Sequence, residues 1–142
     1  MKKVLFSGLV AGLAMAVVGF VLNMLWGETF PGLAAEYATA LFRPWSDPLM
    51  SLMFVCPFLS GLVMSKVWAT SGGKICFFSV CLPNPSPNKN ILGFASVFIL
   101  MSIIGMLMTY SCFPMSFLML VTWCVSMIVQ YLIGTWILAK MI

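Results

Sequence analysis

All three acidic residues of this 142-residue chain, Glu28, Glu36 and Asp47, fall in one stretch, Trp26 to Pro48, together with Arg43, its only arginine. Three carboxylates with Tyr37 among them are the one grouping with the chemistry of an outer cation site. Their spacing speaks against it, because Glu28 and Asp47 stand at opposite ends of the stretch. Ordinary roles suit each acid better: Asp47 capping a helix that opens with Pro48, Glu36 facing water, and Glu28 ending a first helix. Acid–base catalysis draws on His, Glu, Asp, Lys, Tyr or Cys in a shielded pocket. The chain has no histidine, and its acids lie outside its apolar runs, so no catalytic role is assigned and the chain is read as not an enzyme.

The five cysteines read as small apolar residues. Cys76 and Cys81 are too far apart for a CxxC redox pair, and without histidine a zinc site lacks ligands. No metal or cofactor is expected. The net charge of +4 comes from scattered lysines, not from a basic face, and so excludes nucleic acid as a partner.

With 63% hydrophobic and 7% charged residues the chain cannot solvate a globular surface, since soluble chains carry about 25% charged residues. The composition predicts an all-α integral membrane protein, a single domain over 1–142. Four transmembrane helices are expected at 4–26, 48–68, 91–110 and 115–139, in an antiparallel up-down bundle. An outer segment, 27–47, and a cytoplasmic loop, 69–90, complete it.

The start, Met1 to Ala16, has features of a signal peptide, with two lysines, an apolar run and an Ala-Met-Ala site. The apolar run continues unbroken to Trp26, which favours an uncleaved first helix. Leu33, Tyr37 and Leu41 recur every four residues and predict a short interfacial helix over 31–42, flanked by the interfacial aromatics Trp26 and Trp45. Pro57 is expected to kink the second span. Asn90 is expected to cap the third. In the loop, 75–82 is apolar but too short to span, and is expected to rest against the interface. Pro48 to Val55 and Pro114 to Val121 can be aligned as an internal repeat, with Ser60 on Ser126; chance similarity is an equal explanation in a chain so rich in Leu and Met.

Threading follows from charge. With the N-terminus cytoplasmic, Lys2, Lys3, Lys66, Lys74, Lys89 and Lys140 lie inside and Arg43 outside, a strong positive-inside bias. Both termini are then cytoplasmic, in a cell membrane of the bacterial inner-membrane kind.

Two stripes organise the spans. Gly8, Gly12, Ala16, Gly19, Asn23 and Gly27 follow one another down the first helix at steps of three and four, a helix-packing face that lets another backbone approach. Thr122, Ser126, Gln130 and Gly134 follow at steps of four in the last. Asn23 is expected to bond Thr109 or Ser51, and Gln130 to bond Ser60 or Ser102. No Asp, Glu, Lys, Arg or His falls within a span core, where transporters and pumps keep such groups for use. The expected function is a structural or accessory subunit whose partners are lipids and other membrane helices, in a homo-oligomer or a larger complex. The alternative is a small oligomeric channel or transporter whose pore is lined by Thr122, Ser126 and Gln130.

Overall fold

A computed structural model describes residues 2–39, 42–43, 46–72 and 87–142, with the helical backbone alone at 87–90. The expectations for Trp45, Leu41, Lys74, Cys76, Cys81 and the apolar stretch 75–82 lie outside the described residues. Among these, every regular element is helical: α1 (Lys2–Thr29), α2 (Pro31–Tyr37), a 3-10 turn (Pro48–Ser51), α3 (Leu52–Ser71), α4 (Pro87–Cys112) and α5 (Phe117–Met141). Four helices are long and apolar enough to cross a membrane, namely α1, α3 with its 3-10 turn, α4 and α5.

Each boundary has a local cause. Asp47 Oδ1 accepts the Leu49 N–H at 2.9 Å, and Pro48 needs no donor in the first turn. Pro57 lies inside α3 without ending it. α3 runs past Trp68 to Ser71 because Gly72 is the residue that takes the left-handed conformation, φ 61°, that closes it. α4 begins at Pro87, which corrects the expected cap at Asn90. A proline lacks one of the N–H groups that go unbonded in a first turn, so the helix can start there.

The interfacial helix is shorter than the pattern predicts. α2 ends at Tyr37, not near Phe42. Thr39 gives both its N–H and its hydroxyl to the Glu36 carbonyl, and Ala38 bonds Ala35, so the chain tightens into i→i+3 turns that end the α-helix. The aligned prolines do not open equivalent helices either. Asp47, just before Pro48, caps the 3-10 turn, whereas α5 is capped by Ser116, two residues after Pro114.

α1 is the central strut, packing against both α3 and α5, while α4 leans mainly on α5. Along α1 and α3 the paired positions run in opposite senses: Val4 with Ser65, Gly8 with Gly61 and Leu62, Gly12 with Pro57 and Phe58. Two apolar cores result. One, at the end carrying Lys2, Lys66 and Lys140 (the basic end), joins Ala11, Met15, Met64, Trp68, Phe94 and Leu138 from four helices. The other, at the acidic end, joins Leu33, Met115 and Met119, walled by Trp26, Phe30, Phe42 and Trp123.

Candidate functional site: the two stripes and the acidic end

The small-residue stripe of α1 is used over its first half. A Cβ built on Gly12 would lie 2.7 Å from the Phe58 Cα and 2.9 Å from the Pro57 oxygen; one on Gly8 would lie 2.9 Å from the Leu62 Cα. Those are backbone atoms, which cannot step aside. Gly61 returns the fit from α3, where a Cβ would strike the backbone of Gly8 and Gly12. Ser65 ties the same seam by donating to the Val4 carbonyl at 2.5 Å.

Past Ala16, which is half-buried, the stripe and the packing face part company. Gly19 still packs, against the Gln130 amide, but Asn23 is exposed and Gly27 has open space beyond its Cα. Asn23 therefore takes no part in the packing within this chain. The contacts to α5 pass through Met15, Gly19 and Trp26 instead.

The stripe of α5 meets α1 and is taken up by it. Ser126 accepts the Trp26 Nε1–H at 2.8 Å and donates to the Thr122 carbonyl at 2.8 Å. Thr122 is buried and donates to its own Met119 carbonyl at 2.9 Å. Gln130 lies over Gly19, and Met15 sulfur fills the space over Gly134. The expected polar pairs do not form among the described residues. Ser102 bonds the Tyr131 hydroxyl at 3.0 Å, Thr109 bonds the Gly105 carbonyl and Ser51 the Pro48 carbonyl. Gln130 and Asn23 are left without those partners. For Thr109, Ser51 and Ser102, a nearby backbone carbonyl, or a ring hydroxyl facing across α4 and α5, satisfies the hydroxyl first.

The acids do not converge. Asp47 spends Oδ1 on Leu49 and Oδ2 on Arg43, at 2.8 Å; these bonds, that from Leu49 first, hold its carboxyl below the usual range. Glu28 is exposed at the end of α1. Glu36 does not face water alone, which corrects the expectation for it: Oε1 accepts the Ser116 N–H at 2.6 Å, across 80 residues of sequence. No group of three or more Asp, Glu, Cys or His residues able to hold a metal ion occurs among the described residues.

That Glu36 contact was not legible in the sequence. Ser116 is the N-cap of α5, its Oγ accepting from Met119 three residues on at 3.2 Å. A capping box also needs a Glu or Gln at that third position, reaching back to the N–H of the cap. Position 119 is methionine, and Glu36 supplies the carboxylate from α2. Its neighbour Tyr37 accepts a hydrogen bond from Trp123 Nε1. Burial pushes the Tyr37 hydroxyl up, the Trp123 bond partly offsets that, and the Glu36 charge adds to the rise. A second missed feature is Thr135, fully buried on α5 with no partner for its hydroxyl among the described residues. No family model, curated protein or solved structure matches the chain.

Proposed function

We propose that this chain is a four-span, up-down membrane bundle acting as a structural or accessory subunit that binds other membrane helices. The observation carrying this reading is that α1 closes the polar stripe of α5. Ser126 and Gln130 meet Trp26 and Gly19 of α1, and Thr122 is buried with its hydroxyl bonded inside α5, so a pore lined by Ser126 and Gln130 would require α1 to be displaced. Large exposed side chains are left on every spanning helix, among them Phe20 on α1, Phe54 on α3, Met101 and Met108 on α4 and Trp136 on α5. Lipid and neighbouring helices are the natural cover for such surfaces. The opposed pairings of α1 with α3 support the up-down arrangement.

Threading places Lys2, Lys3, Lys66 and Lys140 on the cytoplasmic side and Glu28, Glu36, Arg43 and Asp47 outside, in a membrane of the bacterial inner-membrane kind. Native mass measurement of the purified protein in mild detergent tests the function. A complex with other membrane proteins is expected. A stable ring of copies that conducts ions or solute in vesicles would favour the channel and end this proposal. For the threading, a cysteine at Ala38 should react with an impermeant reagent from outside and one at Pro85 should not. Labelling of both, or the reverse, would refute it.

A further inference from the structure

The acidic end is closed by a segment with the parts of a moving strap: a hinge, a plug and a latch. The hinge is Phe30, the single non-helical residue between α1 and α2, at φ −127° and ψ 84°. Pro31 follows, and then Gly32, which has open space around its Cα. α2 can therefore swing on Phe30 without disturbing α1, whose last turn is independently finished by Phe30 N–H to the Trp26 carbonyl and by Thr29 Oγ1 to the Leu25 carbonyl.

The plug is Leu33, 3% exposed, set against Met115 and Met119 at the start of α5. The latch is the pair Glu36 and Tyr37, which hold Ser116 N–H and Trp123 Nε1–H. Both latch bonds cross from α2 to α5, and neither is part of a continuous backbone ladder. A carboxylate on the N-terminal N–H groups of a 25-residue helix is held by direct bonding and by the partial positive charge of that terminus. Water can compete for these bonds once the plug lifts.

We propose that residues 31–39 form a strap that opens and closes over the acidic end, latched shut by the capping box that Glu36 and Ser116 share across the chain. Opening withdraws Leu33 and bares an apolar slot floored by Met115 and Met119 and walled by Trp123. The slot is shut in the state described here, with Met115 only 7% exposed although Phe113 and Phe117 on either side are 49% and 67% exposed.

The full chain, reconstituted in lipid nanodiscs with its five cysteines changed to alanine, carries one new cysteine, Met115→Cys, and is exposed to a water-soluble maleimide. A twin carrying Phe117→Cys reports ordinary surface reactivity. Met115→Cys should react far more slowly than the twin. Glu36→Ala should speed it about three- to tenfold, the value of one hydrogen bond lost. Glu36→Gln, which keeps an acceptor without the charge, should lie between, and Tyr37→Phe should speed it independently. The twin should be unmoved in all three. Reaction at Met115→Cys as fast as at the twin with the latch intact would show that the strap is never shut. Equally slow reaction with Glu36→Ala and with Tyr37→Phe would show a rigid cover without a latch. Should Glu36→Ala unfold the protein and quicken both sites, Glu36→Gln and Tyr37→Phe decide between the same outcomes.

Discussion

The basic and acidic ends of this bundle are closed by different means. At the basic end, α1 and α3 approach until glycine backbone meets backbone, and Met15, Met64, Trp68, Phe94 and Leu138 fill what remains. At the acidic end, the spanning helices leave surface uncovered. The first residues of α3, Leu52 to Cys56, are all exposed, as are Met101, Ile104, Leu107 and Met108 on α4. A short segment folds over α5 instead, fixed by single polar bonds from Trp26, Glu36 and Tyr37. The lesson concerns where membrane helices find their attraction. In the proposed membrane setting, apolar side chains gain little from leaving lipid for each other, so association rests on close steric fit or on hydrogen bonds. The basic end rests mainly on the first, with Ser65 adding one bond to Val4, and the acidic end, around its small apolar core, draws more on the second.

The contrast predicts where the molecule is brittle. Gly12→Leu should have the largest effect. Even its Cβ meets the Phe58 Cα and the Pro57 oxygen, so α1 and α3 must separate, at about 3 kcal/mol or more. Thermal unfolding in detergent measures it, and an unchanged midpoint would mean that the glycine seam does not hold the basic end together. Thr135→Val should act in the opposite sense. It removes a buried hydroxyl that has no partner among the described residues and keeps the shape, so a gain of about 1–2 kcal/mol is expected in the same assay. Destabilisation instead would reveal a bonded hydroxyl.

Trp26→Phe tests the other kind of closure. It keeps a ring in the acidic-end core and deletes the bond to Ser126, for a loss of about 1 kcal/mol. A loss as large as that from Gly12→Leu would erase the distinction between the two ends. The acid dependence of Asp47 is smaller still. Its folded carboxyl is held below its ordinary value of 3.8, so its support for the 3-10 turn is present above that value and is lost as pH falls through the lower, folded value. Asp47→Asn should flatten stability against pH in that acid window and leave neutral pH almost unchanged; an equal effect at pH 7 would contradict the assignment. Gly105→Leu should do nothing measurable, because nothing lies within 4 Å of a Cβ there. A clear loss of assembly would instead identify that face of α4 as a contact with another molecule.

Much of the architecture was legible because it depends on sums over many residues. Four long apolar runs and the polar gaps between them required no knowledge of neighbours. The Asp47-Pro48 start was equally readable, since a cap acts within one turn. Gly8 and Gly12 were readable as a packing face, but not that Gly61 would be their counterpart. Asn23 is exposed within this chain, and the spacing of a stripe does not say which of its members meet a neighbour of the same chain.

What the sequence by itself determined is therefore whatever acts along the chain: hydropathy and the caps built from adjacent residues. The tertiary structure alone decided which groups meet across it. Glu36 caps α5 from 80 residues away, and Gln130 lies on Gly19 in place of a serine. The physical reason is range. Burial and capping are set by local composition, whereas a hydrogen bond needs its two atoms within about 3 Å, and the register between helices that brings them there is fixed by how all their side chains pack at once.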